Sequence, residues 1–315
     1  MHRRALLGAS LGAGAVALGA AACGSDDDSS ESTTTDGADQ STTETADTSG
    51  AGSWQQLTFT DPDYDDQELS YNLFLPAGYD ATQSYPLIVF MEDASMVGAE
   101  VTTPIDQGEG AVVWASEEWQ AEHPTIVVAP QYTEVVVEDD YNPTDYLDIT
   151  VDLVESLAEE YAVDADRIYN TGQSMGGMMT LGMDVKYREL FAASYVVAAQ
   201  WEPPENASVL AAYPMWYTVA AGDEKAYPGM EAIREVVEQH GAAVAGGEIS
   251  AQASEEEFAE FTDGIVAEGA NFNYTVFEAE TALGEGAMME HMGTWDYAYG
   301  IAGIREWLFE QRKSS

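Results

Sequence analysis

Ser174 stands in Gly172-Gln-Ser-Met-Gly176, a G-x-S-x-G pentad that follows Arg167-Ile-Tyr-Asn-Thr171 and precedes Gly177-Met-Met-Thr-Leu-Gly-Met. The first run has the apolar and aromatic character of a short strand, and the last can open a buried helix. A serine on a sharp strand-to-helix turn is held in a strained conformation with its hydroxyl projecting above the sheet. Flanking glycines let helix and strand approach more closely than side chains would allow. The helix N-terminus and the N–H of Met175 then lie where an oxyanion would form. The same letters also suit a glycine-rich turn between a core strand and a core helix. Strand before and helix after favour the nucleophile.

A serine nucleophile needs a base, and histidine is the usual one. The chain has four histidines, so elimination is possible. His2 falls in an N-terminal leader. His123 precedes a strand expected from Thr125, at the wrong end of a parallel sheet whose site lies beyond the strand C-termini. His240 precedes Gly241 at a helix C-terminus, where dipole and cap explain it. His291 remains, in the expected loop Glu290-His-Met-Gly-Thr-Trp295 before the last helix. The orienting acid should follow a strand between serine and histidine. Met215-Trp-Tyr-Thr-Val-Ala-Ala-Gly-Asp223 supplies Asp223 just past a strand end. Glu224 is the near competitor, and Asp184 and Asp263 fall inside expected helices.

The elements that must position these groups alternate along the chain. Strands are expected at Trp54–Thr60, Gln67–Leu75, Pro86–Met91, Thr125–Ala129, Arg167–Thr171, Ala192–Ala198, Met215–Ala221 and Asn273–Phe277. Helices are expected at Gly110–Ala121, Tyr146–Tyr161, after Ser174, and at Met230–His240, Ser254–Glu268 and Trp295–Phe309. Tyr146–Tyr161 has Leu147, Val151, Val154 and Leu157 on one face, and Ser254-x-x-Glu257 reads as a capping box. This alternation predicts an α/β fold with a mostly parallel, doubly wound sheet and helices on both faces. No cofactor or metal is expected. Asp61-Pro-Asp-Tyr-Asp-Asp66 lacks the glycine and closing glutamate of a calcium loop and reads as a solvated turn.

Charge bounds the partners. The chain carries 57 Asp and Glu against 10 Lys and Arg, a net charge of −47. Such a surface repels nucleic acid and bare anionic membranes, and suits life outside the cell or in high salt. Residues 1–22 read as an export signal: a basic His2-Arg3-Arg4 start, an apolar run from Ala5 to Ala22, then Cys23. The Ala20-Ala21-Ala22-Cys23 junction resembles a bacterial lipoprotein signal, which implies lipidation of the Cys23 thiol and anchoring to the outer face of the cell membrane. Arg3-Arg4 hints at twin-arginine export, though its neighbours fit poorly. Cys23 is the single cysteine, so no intramolecular disulfide forms. Residues 23–53 are an acidic Ser/Thr/Asp tether, and the folded domain is expected over 54–315.

Tyr71-Asn-Leu-Phe-Leu-Pro-Ala-Gly-Tyr79, Tyr85-Pro-Leu-Ile-Val-Phe90, Asp164-Ala-Asp-Arg-Ile-Tyr-Asn-Thr-Gly-Gln-Ser-Met-Gly-Gly177 and His291-x-x-x-Trp295 together resemble the α/β-hydrolase superfamily. Within it, the chain is similar to the secreted predicted peptidases and esterases related to poly(3-hydroxybutyrate) depolymerases and feruloyl esterases. The resemblance runs from about Gln67 to Phe309. It implies a Ser174–His291–Asp223 triad, with the oxyanion held by the N–H groups of Met175 and of a residue after the Pro86–Met91 strand, here Ala94. Relatives usually carry His-Gly at that place, whereas this chain has Glu92-Asp93, two carboxylates that would oppose an oxyanion unless they point away. The expectation is an exported serine hydrolase acting on an ester, small or polymeric. The alternatives are a peptidase with the same triad, or an inactive lipoprotein that captures a saccharide or peptide on Trp114, Trp119 or Trp201.

Overall fold

A computed structural model describes residues 52–201, 208–284 and 289–313, all within the unit Ala46–Ser315. The expected leader, Cys23 and the tether as far as residue 51 lie outside the described residues.

Nine strands form one sheet among the described residues: β1 (Ser53–Asp61), β2 (Gln67–Leu75), β3 (Tyr85–Met91), β4 (Ile126–Gln131), β5 (Val163–Gln173), β6 (Ala193–Val197), β7 (Met215–Ala220), β8 (Val244–Ile249) and β9 (Phe272–Phe277). Their spatial order is β1-β2-β4-β3-β5-β6-β7-β9-β8. β1 pairs antiparallel with β2, and β2 antiparallel with β4. All the other pairings are parallel. This is the mostly parallel α/β sheet that the alternating pattern predicts, arranged as the α/β-hydrolase resemblance implies, with antiparallel pairing at one edge.

Central strands of such a sheet are apolar on both faces because helices cover both. β3 shows it. Leu87, Val89 and Met91 join the core on one face, while Ile88 and Phe90 join the other, and all five are fully buried. The first face is covered by α4 (Tyr146–Glu160), α5 (Met175–Lys186) and α6 (Ala226–Gln239). The second lies under α2 (Glu109–Val112), α3 (Glu117–Glu122), α7 (Glu255–Ala267), α8 (Glu290–Ala298) and α9 (Ala302–Glu310), with α1 (Thr103–Asp106) nearby. α7 begins at the predicted capping box, with Ser254 and Glu257 exchanging hydrogen bonds. No helix among the described residues is long and apolar enough to cross a membrane.

Three elements depart from expectation. The Gly110–Ala121 helix is broken into α2, a 3-10 turn and α3, because Ser116 turns extended and caps the N–H of Trp119. The last helix is two, α8 and α9, separated by Tyr299-Gly300-Ile301. β8 was not anticipated. Trp114 and Trp119 are core residues, the placement expected for them over ligand capture: they are 0% and 4% exposed, with Trp114 stacked on Phe309 at 5.5 Å.

Candidate active site

β5 ends at Gln173 and α5 starts at Met175, leaving Ser174 alone on the corner. Its backbone has φ 51° and ψ −114°, which an L-residue adopts only under constraint, at a cost of roughly 1–3 kcal/mol. Two backbone hydrogen bonds supply the constraint. Ser174 N–H donates to Val197 O of β6 at 3.0 Å, and Met178 N–H donates to Ser174 O at 2.9 Å. Close packing does the rest. A Cβ on Gly176 would overlap the Met91 carbonyl and come within 2.8 Å of Glu92 O, and one on Gly172 would overlap the Gly176 backbone. The glycines are therefore what bring α5 down onto β3 and β5.

Beneath the corner, α5 is tied to the sheet through Asp184, which accepts hydrogen bonds from Asn170 Nδ2 at 3.0 Å and Ser194 Oγ at 2.8 Å. Burial pushes the Asp184 carboxyl up to about 7 against the hydrogen bonds from Asn170 and Ser194 that favour the charged form. It sits far down the helix and belongs to the scaffold.

Three residues from separate elements meet at the corner. Ser174 Oγ lies 2.8 Å from His291 Nε2, and His291 Nδ1 lies 2.6 Å from Asp223 Oδ2. Asp223 follows β7 and is 4% exposed; its other oxygen accepts from the N–H groups of Lys225 at 3.0 Å and Ala226 at 2.9 Å, at the start of α6. Burial alone would raise its pKa. The hydrogen bond and charge of His291, with those two N–H groups, overcome burial and hold it below the usual carboxylate range. His291 is in the first turn of α8, not in a loop before the last helix as expected. Trp295, one turn later, sets its ring edge-on to the imidazole at 5.4 Å.

His123 and His240 are placed as the elimination argument requires, and His2 lies outside the described residues. His123 caps α3 before β4 and meets Glu306 at 3.1 Å. His240 ends α6, with Nδ1 2.8 Å from Val236 O. Glu224 is exposed beside Asp223, and Asp263 is exposed on α7. Among the described residues one group has metal-ligand spacing, Glu122, His123 and Glu306, and it lies with His123 at the end of the sheet away from Ser174.

Glu92 and Asp93 follow β3 beside the corner, and both are buried. Each carboxylate has hydrogen-bond partners of its own. Glu92 Oε1 accepts from Tyr132 N–H at 3.0 Å and Gln131 Nε2 at 3.1 Å. Asp93 Oδ1 accepts from Ser95 N–H at 2.9 Å, and Oδ2 accepts from Gln173 Nε2 at 3.1 Å. Ala94 is thus held between two fastened neighbours. Glu290, absent from the sequence reading, is also buried here; it accepts from Glu280 N–H and packs over Gly222, whose added Cβ would overlap its carboxylate. One acid among 57 gives no signal in the sequence.

Of five large hydrophobics exposed among the described residues, Met289 and Met292 are close neighbours of His291 in the chain. A hydroxyl on a strained corner, an imidazole against it and a carboxylate behind the imidazole can transfer a proton from the hydroxyl and stabilise the resulting imidazolium.

Known proteins resemble this chain in sequence and in fold. The sequence model of a family described as "Putative esterase" matches residues 65–257. A thermostable esterase of known structure is 27% identical with a TM-score of 0.66; the match covers 82% of this chain and 63% of that one, so the chain spans less than two thirds of its length. The feruloyl esterase module from Clostridium thermocellum, solved with sinapinate, is 17% identical with a TM-score of 0.56, covering 82% of this chain and 88% of that one. A ferulic acid esterase from the anaerobic fungus Anaeromyces mucronatus is 11% identical with a TM-score of 0.53, covering 84% and 92%. The last two likenesses concern the fold. No curated protein matches the chain.

Proposed function

The chain belongs to this esterase family, and from that membership we propose that it is a serine hydrolase cleaving a carboxylic ester through an acyl-enzyme. The observation that carries the reading is the continuous line of hydrogen bonds from Ser174 through His291 to Asp223, with the serine on a strained corner. Ser174 Oγ attacks the ester carbonyl while His291 Nε2 takes its proton. Asp223 fixes the imidazole so that Nε2 is the free acceptor, and stabilises the imidazolium. The N–H groups of Met175 and Ala94 hold the oxyanion. Met175 opens α5, so its N–H has no acceptor within the helix. Collapse expels the alcohol, which takes the proton back from His291. Water, activated by the same imidazole, then releases the acid.

Two features narrow the substrate. A chain of net charge −47 repels anions, and exposed Met289 and Met292 lie two residues before and one residue after His291 in the chain. Uncharged esters with an apolar acyl or alcohol group fit both. Ser174→Ala should lower ester turnover by on the order of 10⁵-fold or more while the fold is kept. A fluorophosphonate probe that labels the variant as fully as the parent would remove Ser174 from the mechanism.

The same proposal places the enzyme outside the cell, tethered through a lipid on Cys23 by the acidic segment that follows. Metabolic labelling with palmitate tests this, since Cys23→Ser should abolish incorporation into the full chain.

A further inference from the structure

Where the resemblance leads one to expect His-Gly, this chain carries Glu92-Asp93, and the structure buries both side chains against the corner that holds Ser174. We propose that Glu92 is a positioning residue that works as a neutral carboxyl, fastening the turn that carries the Ala94 N–H, and that turnover is lost when this carboxyl ionises. The inference rests on the serine-hydrolase reading above.

The geometry supplies the fastening. Glu92 is 0% exposed and reaches across to the end of β4, where Oε1 accepts from Tyr132 N–H and Gln131 Nε2. The same Gln131 Nε2 donates to Met96 O at 2.9 Å, and Gly98 N–H donates to Tyr132 O at 2.7 Å. Residues 92–98 are thereby laced to β4. Behind Glu92, its own carbonyl and that of Met91 lie against Gly176, so the segment cannot shift without moving the start of α5. Asp93 ties the segment to Gln173, the residue before the serine.

The charge state follows from what faces the Glu92 carboxyl. Oε2 is buried and has no hydrogen-bond partner, a setting that suits a neutral oxygen far better than half of a carboxylate. The charge bearing on it is that of Asp93 next door. From β4 it meets Tyr132, whose hydroxyl is buried and hydrogen-bonded to Thr150 of α4. From the α8–α9 junction the buried Tyr299 faces Asp93. Burial accordingly pushes Glu92 up to about 8, against the Tyr132 N–H, with Asp93 adding to the rise. Ionisation of Glu92 adds a buried negative charge to the turn that carries the Ala94 N–H, in a site of low dielectric that must stabilise an oxyanion.

Two measurements on the full chain test this: kcat against pH with a neutral ester, and the thermal midpoint against pH, each for the parent and Glu92→Gln. The glutamine keeps the acceptor for Tyr132 and carries no ionisable proton. Parental kcat should fall above about pH 8 by roughly tenfold per pH unit, whereas E92Q should keep its pH 7 value within about twofold and hold it at higher pH. KM should differ little between the two. A group whose folded pKa is raised gives stability that is complete below its unfolded pKa and lost as pH rises through the folded one. The parental midpoint should therefore decline between about pH 4.5 and 8, and E92Q should flatten that decline. Coincident alkaline limbs, parallel midpoint curves, or a folded but inactive E92Q each overturn the proposal. If no ester is cleaved by either protein while the midpoint curves still diverge, the hydrolase reading has failed and the neutral state of Glu92 has not.

Discussion

Asp223 and His291 stand 68 residues apart in the chain and 2.6 Å apart at their facing atoms. One follows β7 and the other opens α8, so their meeting depends on the sheet placing the end of β7 beside the covering helix. The second Asp223 oxygen is spent on the start of α6. The imidazole is therefore aimed by a carboxylate that is itself held from the opposite side.

Asp223→Asn should cost about 10⁴-fold in kcat with little change in KM, because an amide can donate to Nδ1 and stabilise the wrong tautomer. Stability offers a second reading. A depressed folded pKa gives stability present above the unfolded value of about 3.9 and lost as pH falls through the folded one. The variant's deficit in thermal midpoint should then be full at neutral pH and shrink as acid protonates the parental carboxylate. A deficit independent of pH would assign Asp223 to packing alone.

The histidines should separate sharply. His291→Ala should be as damaging as Ser174→Ala, since members of one catalytic unit are not additive. His123→Ala and His240→Ala should keep kcat/KM within about twofold, because these rings serve a contact with Glu306 and a helix end. An inactive, folded His240→Ala beside an active His291→Ala would refute the assignment.

Gly176→Ala tests whether close approach makes the corner. The added methyl overlaps the Met91 carbonyl, and backbone cannot rotate aside as a side chain can. Overpacking of this kind should cost about 1–3 kcal/mol in stability. A displacement of α5 by about 1 Å would cost on the order of 100-fold in kcat/KM. Denaturant unfolding and turnover, measured together, check both.

Salt should stabilise the fold. Folding gathers the acids of residues 54–315, which far outnumber the bases there, and the native state suffers their repulsion more than an expanded chain does. The Debye length falls from about 30 Å at 0.01 M to about 3 Å at 1 M, so the thermal midpoint should rise with NaCl through that range. A level or falling midpoint would show the charges to be locally compensated.

The serine corner was legible because the pentad is local: the strand, the turn and the helix that strain Ser174 are contiguous in the chain. His291 was found by elimination and chain order, although its setting in α8 was not, since Glu290-His-Met-Gly carries no helix-start signal. Periodicity also ran across real breaks. Ser116 and Tyr299-Gly300-Ile301 interrupt helices whose apolar residues continue in phase on either side. The Glu92-Asp93 pair reads as an obstacle in one dimension because its partners, Tyr132 and Gln173, lie 40 and 80 residues away. β8 was hidden by its composition, Val-Ala-Gly-Gly-Glu-Ile, which has few β-favouring residues and no clean alternation.

That composition matters at the place β8 occupies. Among the described residues it is the last strand of the sheet, hydrogen-bonded to β9 on one side and open on the other. An open edge is a template on which any extended chain can dock, and long apolar edges invite fibrils. Two glycines leave this one with little side-chain surface to grip, and Glu248 adds an exposed charge to it. A strand too weak in pattern to be recognised from its letters is, for the same reason, a poor seed for another molecule to add to.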